Sequence, residues 1–495
     1  MKYSVPVNAP EEVEQLVAAG ADELYCGFQD AWWIERYGDH DSASRRQGRA
    51  NLCSADELFG TVERARACGV PLYLALNSRY TEPQLDHLEE LCGTFSDAGG
   101  TGVIASDLGL IWRLRNHSGL AVVLSLLAVA QNAPTMAVFA QLGVDRVVFP
   151  RFIGPEEASR LLAAVPGMQG EVMAFFDKCP MVDGYCRHRH GVSYPDRDAA
   201  DGDDGAQPIY TFDTVYRTHA CLRGSSEYLE PNPCAACFLQ AFERAGVGFA
   251  KLGGRGRPLE ERVRALTFLH EAEGLASDAE RAELYRRTFN AECACYYGPF
   301  TQNRYAIEPV EACLGLEGRM VVGSQTDYGQ FDLALDALCE RSKAISGTFA
   351  KDAPGAMGFA LLVPPLSDEG LARLLGALPD LAAQHSGVLC LYANDLGTYV
   401  SLKRAIDAAG YGYDLEVACG TLLSRWDDPR EIAHFLAPAE NPPRPVWGPE
   451  GEPRVLVYRE PPAPLRKHWQ RPSLDEPSAR EALKWVAQPG SMPSS

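Results

Sequence analysis

The chain has 495 residues, 46% of them hydrophobic and 23% charged. Those proportions are globular and exclude wholesale disorder, and no apolar run approaches the ~18 residues that a membrane helix needs. The net charge of −20, from 46 basic against 66 acidic residues, counts against broad nucleic-acid binding, which normally leaves a basic footprint.

The length allows two or three domains at ~100–200 residues each, or one large barrel with an appendage. Residues 1–7 carry no export-like apolar run, so a cytoplasmic location is expected. Short β-rich runs then alternate with amphipathic stretches. Strands are predicted at 2–7, 23–27, 71–77, 102–106, 121–126, 146–151, 171–176 and 248–252. Helices are predicted at 10–19, 55–68, 82–95, 108–115, 134–142, 155–164 and 258–273. Ser54-Ala-Asp-Glu57 has the form of a capping box, and Gly154-Pro-Glu-Glu157 puts proline and acids in a first turn. Segments such as Leu142-Gly-Val-Asp145 end a helix at glycine and enter a strand. Eight strands alternating with helices predict an α/β fold, a (β/α)8 barrel over 1–275, with an open doubly wound sheet as the alternative.

Chemistry in such a barrel sits at the C-terminal ends of the strands. The polar residues there are Tyr25-Cys26, Asn77, Ser106-Asp107, Ser125, Arg151 and the stretch from Phe176 to Cys179. Each is a candidate ligand contact or a polar cap on the core. After the seventh strand about sixty residues lack clear periodicity, far beyond the ~12–15 of an ordinary loop. This insertion, 177–237, holds Cys179, Cys186, Cys221, Cys234 and Cys237, and an acidic, glycine-rich run at 196–205. A linker and helical region at 276–344 follows, with a helix at 278–287. A smaller α/β domain is expected at 345–440, then a proline-rich tail at 441–495 with one short terminal helix. Residues 103–115 and 391–403 echo each other as strand, Asp-Leu-Gly turn and helix, so the second domain reads as a partial repeat.

Fifteen cysteines are many for a cytosolic chain, where disulfides are rare. Cys68, Cys92, Cys339 and Cys419 lie in regular patterns and read as core residues. Cys293 and Cys295 read as two buried thiols, with a spare redox pair as the alternative. Cys179-x6-Cys186, Cys221 and Cys234-x2-Cys237 are different. Thiolates select zinc or iron–sulfur clusters. A structural zinc site usually shows two tight pairs, and only Cys234/Cys237 is tight here. The spread suits a cluster better, with zinc as the alternative and unrelated loop thiols as the plain reading.

The chain resembles the U32 peptidase family over about residues 1–275. The resemblance rests on 11–27, Leu74-Ala-Leu-Asn-Ser78, Ile104-Ala-Ser-Asp-Leu-Gly109, Arg146-Val-Val-Phe-Pro-Arg151, the stretch from Glu171 through Cys179 to Cys186, and Lys251-Leu-Gly-Gly-Arg255. The resemblance implies a (β/α)8 barrel and, in several members, a [4Fe-4S] cluster supporting oxygen-independent hydroxylation of RNA bases or ubiquinone precursors. It implies Cys179 and Cys186 as ligands, and Cys221, before Leu-Arg-Gly, as a third. Cys234 is assigned as the fourth, with Cys237 as its substitute and Cys26 and Cys53 as outside candidates. The sequence departs from the family at Phe175-Phe176, where polar residues or glycine are usual, at Gly253, and at Leu126-Leu127. These changes make the pocket more apolar.

The expected function is hydroxylation of an aromatic or quinone-like small molecule by an iron–sulfur enzyme, with an organic oxygen donor such as prephenate implied by the resemblance. Arg151 and Lys251 are candidates to clamp a carboxylate, or else form an ordinary barrel salt bridge. Asn77 and Asp107 are candidates to orient ligand polar groups, and Arg255 joins them as a substrate contact. Three alternatives stand: RNA-base hydroxylation, proteolysis as the family name suggests, and a non-catalytic cluster carrier paired with a second family member. Proteolysis would need a cysteine beside a histidine such as His188, His190 or His219; no Gly-x-Ser-x-Gly or His-Glu-x-x-His motif is present.

Overall fold

The structure, a computed structural model, describes residues 1–37, 42–46, 48–115, 119–176, 233–293, 296–297, 320–322, 359–363, 366–384, 389–393, 395–410, 415–419, 445–446, 455–456 and 477–487. The expectations for Cys179, Cys186, Cys221, Cys295, the three loop histidines and the acidic run fall outside the described residues.

Eight strands close a barrel: β1 (Lys2–Pro6), β2 (Glu23–Gly27), β3 (Leu72–Leu76), β4 (Gly102–Ala105), β5 (Ala121–Leu124), β6 (Arg146–Val148), β7 (Gln169–Phe175) and β8 (Val247–Leu252). All are parallel, and β8 returns to β1 with Lys2 opposite Phe249 and Ser4 opposite Lys251. That closure excludes the doubly wound sheet. The cause lies in the residues. β2 and β3 are buried along their whole length, as strands between a filled barrel interior and a helix layer must be. β6 stops at Val148 rather than Arg151, because Pro150 has no N–H to offer a ladder.

The helices start where capping chemistry directs. Ser54 Oγ accepts from Glu57 N at 3.2 Å, while the Glu57 carboxylate reaches back to Cys53 N at 2.7 Å. Thr81 with Gln84 and Ser277 with Glu280 form reciprocal boxes at the helices Glu82–Asp97 and Asp278–Phe289. A helix at Ala31–Tyr37, not predicted, stands in the long connection after β2.

A second sheet contains β9 (Met320–Val322), β10 (Phe359–Val363), β11 (Leu389–Ala393), β12 (Leu415–Cys419), β13 (Pro445–Val446) and β14 (Val455–Leu456), in the order β12-β11-β10-β9-β14-β13. It takes strands from both sides of the 345–440 segment. β9 to β12 are parallel, whereas β13 and β14 are antiparallel additions. The echoed segments share one local structure. Asp107 caps helix Leu108–Leu114 through Leu110 N at 2.9 Å, and Asp395 caps helix Leu396–Ala409 through Thr398 N at 2.8 Å.

The second sheet's helix Leu396–Ala409 packs on the barrel helix Ala133–Gln141 with their N-termini together. Asp395 Oδ1 accepts from Thr135 Oγ1 at 2.7 Å and from Asn132 Nδ2 at 3.1 Å. A Cβ at Gly397 would lie 2.1 Å from Thr135 N, so this approach needs glycine. Helix Pro477–Ala487 lies on helix Leu108–Leu114, and Ser478 N donates to Glu82 Oε1 at 2.7 Å. Among the described residues no helix is long and apolar enough to cross a membrane.

Candidate functional site

The barrel interior carries a buried ionic ladder. Arg146, at the start of β6, donates to Glu23 Oε1 at 2.6 Å and to Glu171 Oε2 at 3.1 Å. Lys251 Nζ donates to Glu171 Oε1 at 3.0 Å and stands 3.9 Å above the Tyr25 ring. Two carboxylates and two cations make the set neutral, which is what such burial demands. Burial pushes the Glu171 carboxyl up, but Lys251 and Arg146 outweigh it and hold it below the ordinary value. Glu23 goes the other way: burial and the neighbouring Glu171 charge raise it. Lys251, a candidate substrate clamp, is thus joined to the barrel core, in the arrangement of the salt bridge given as its other reading.

The other predicted contacts occupy different places. Both Asp107 oxygens are engaged inside the fold, Oδ1 with Leu110 N and Oδ2 with Tyr80 N at 3.3 Å, so its role here is to cap a helix and brace the loop after β3. Asn77, just past β3, has a buried side-chain oxygen with no hydrogen-bond donor among the described residues. A buried acceptor left in that state is costly unless something donates to it. Arg255 crosses from the end of β8 to the β2 loop, where its Nη2 donates to Ser44 O at 2.8 Å. Gly27 leaves room for it, since a Cβ there would lie 2.4 Å from Arg255 Nη1 and 2.1 Å from Asn51 Oδ1. Arg151 is half-buried after β6. Arg79, not singled out from the sequence, donates to Ser106 O and Oγ, each at 2.8 Å. Its signal was position: it follows β3 by three residues.

The end of β7 is held in an unusual backbone conformation. Phe176 has φ of 61°, a left-handed conformation that glycine adopts freely and a bulky side chain does not. Its surroundings hold it there. Phe176 N donates to Pro233 O at 3.2 Å, and its carbonyl accepts from Tyr296 Oη at 2.6 Å. Arg257 lies 4.5 Å from its ring centroid. The chain that leaves Phe176 leads to Cys179 three residues on, and the chain that returns pairs Cys234 with Phe175 in an antiparallel bridge.

Cys234 therefore stands at the barrel mouth, 1% exposed, against the aromatic residues Phe175 and Phe176. Its Sγ is 3.4 Å from Cys293 Sγ. Tyr296 N donates to Cys234 O at 2.8 Å, and Tyr297 Oη donates to Met173 O at 3.1 Å, so both tyrosines are stapled to the end of β7 and the residue paired with it. Cys237 sits in helix Ala236–Arg244, partly exposed. Cys26 is fully buried in β2, and burial pushes its thiol up to about 12; Cys53 is exposed. Those properties suit a core residue and a surface residue respectively. Cys293 belongs with Cys234, a pairing that the sequence reading missed.

A family model described as peptidase family U32 matches residues 8–303. The tRNA hydroxylation protein P of Escherichia coli (strain K12) is 26% identical over 182 residues, covering 37% of this chain and 37% of that protein. The protein of the same name from Haemophilus influenzae is 23% identical over 182 residues, with the same coverage. The chain thus spans 37% of the length of each of these curated relatives. A solved structure of the U32 peptidase Mk0906 aligns at 15% identity with a TM-score of 0.32, covering 52% of this chain and 94% of that one.

Proposed function

The chain belongs to peptidase family U32, and from that premise we propose that it is an iron–sulfur protein that hydroxylates a nucleobase in RNA without molecular oxygen. The observation that carries the reading is Cys234. A thiolate ligand of a cluster needs a soft donor held away from water at the place where substrate arrives. Cys234 has that setting: a buried sulfur at the C-terminal mouth of the barrel, beside the residue that leads into Cys179. Cys179, Cys186, Cys221 and Cys234 would hold a [4Fe-4S] cluster, with zinc as the alternative occupant. The cluster would supply redox chemistry at the mouth.

The chain's own residues supply the rest. The Lys251–Glu171–Arg146 ladder fills the barrel interior with paired charge. Asn77 presents a buried acceptor suited to a base or amide N–H. Loops after β2, β3, β6 and β8 bring Arg45, Arg46, Arg79, Arg151 and Arg255 to one end of an acidic molecule. Arg79 and Arg255 are held there by Ser106 and Ser44, and the RNA reading rests on the relatives' name. The apolar pair Phe175-Phe176 favours the second reading, a small aromatic or quinone-like substrate with a carboxylate-bearing oxygen donor.

The test is anaerobic incubation of the purified protein with an organic donor such as prephenate and either unmodified tRNA or small aromatic acids. Nucleosides and small products are then analysed by mass spectrometry. A nucleoside gaining one oxygen supports the proposal, and an oxygenated small aromatic alone supports the second reading. No product with either substrate contradicts both and returns proteolysis or a non-catalytic paired role.

A further inference from the structure

We propose that Cys234 and Cys293 form a thiol–disulfide couple at the barrel mouth, and that its oxidation withdraws the Cys234 sulfur from metal binding. The two residues are 59 positions apart, yet their Sγ atoms lie 3.4 Å from each other. The proximity is built into the backbone. Cys234 is bridged to Phe175, Ala235 N donates to Ala174 O at 2.8 Å, and Tyr296 N donates to Cys234 O at 2.8 Å. Tyr296 and Tyr297 then tie the far side of the pair to Phe176 and Met173. A disulfide requires the sulfurs to close to ~2.05 Å, a movement that small side-chain rotations supply.

Exposure sets the order of events. Cys234 is buried, whereas Cys293 is partly exposed. With a low-molecular-weight disulfide as oxidant, the Cys293 thiolate attacks one oxidant sulfur and releases one thiol, leaving a mixed disulfide on Cys293. The Cys234 thiolate then attacks Cys293 Sγ and releases the second thiol. Two protein thiols lose two electrons and two protons in total, and the oxidant disulfide becomes two thiols. The couple itself stands on geometry, while its effect on a cluster rests on the function proposed above.

The full-length protein is purified anaerobically and divided into an untreated sample and one stripped of metal by a chelator. Both are equilibrated with graded ratios of oxidised to reduced glutathione, trapped with N-ethylmaleimide and mapped by peptide mass spectrometry. The expected result is a Cys234–Cys293 linked peptide in the stripped wild type, lost in Cys293→Ser, with iron in the untreated wild type falling as that peptide appears. Alkylation of both cysteines at the most oxidising ratio, or linkage of Cys234 to Cys237 instead, overturns the couple. A Cys234–Cys293 link in a protein that never holds iron supports the couple and removes the cluster reading. Iron retained with no link does the reverse. The wild-type map decides the matter even if Cys293→Ser folds poorly.

Discussion

At the residue scale, Lys251 is where a ligand contact and a structural ion give opposite expectations. Its ammonium lies 3.0 Å from Glu171 Oε1 in a buried site. Removing one partner of a buried pair costs about 3–5 kcal/mol because the other charge stays behind. Lys251→Met is therefore expected to lose stability on that scale in a denaturant titration; an unchanged midpoint would contradict the ladder. Glu171 adds a pH test. Its carboxyl lies below the ordinary value, so its contribution is fully present above the unfolded pKa of about 4.3 and is lost as pH falls through the folded value. Glu23 is raised and has the opposite slope. Stability measured between pH 6 and pH 3 should therefore fall less steeply with acid in Glu171→Gln than in the wild type, and identical slopes would contradict the assignment. Lys251 was recognisable in the sequence as a charge at a strand end, but the carboxylate it meets was not. The Cys234–Cys293 contact was equally hidden, because barrel closure creates it from residues in different segments.

At the scale of elements, the barrel was legible because its signals are local. Apolar runs bounded by Gly turns, Ser54 in a capping box, and Pro155 at a first turn each specify a boundary without distant information, whereas Asp107, read as a ligand contact, proved to cap a helix. The short helix Ala31–Tyr37 and the two-residue strands β13 and β14 lack that periodicity and take their form from neighbours. The junction between helices Ala133–Gln141 and Leu396–Ala409 offers a test of how the second sheet is fastened. Burial raises the Asp395 carboxyl despite the bonds from Thr398, Thr135 and Asn132. A raised folded value means that its charged form costs stability at neutral pH, a cost that recedes as pH falls. Asp395→Ala removes the cap and should cost about 1–2 kcal/mol. Asp395→Asn keeps the Oδ1 acceptor without the charge and should unfold no earlier than wild type at pH 7. Equal losses in the two variants would contradict this account.

At the scale of the whole molecule, the net charge of −20 describes the surface as an average and misses how charge is distributed. Arginines from four separate loops reach one end of the barrel only because every strand points that way. The family and the barrel were readable from motif order, but the substrate was not, because a net charge says nothing of the mouth of the barrel. The central claim concerns the four proposed cluster ligands, of which Cys234 is the one that lies among the described residues. The most direct measurement is iron and sulfide content, with an absorption spectrum, for wild type and Cys234→Ala purified without oxygen. The account predicts about four iron and four sulfide per chain in the wild type, as a cubane requires, and loss of most of both in the variant. Stoichiometric zinc, no metal, or iron unchanged in Cys234→Ala would contradict it.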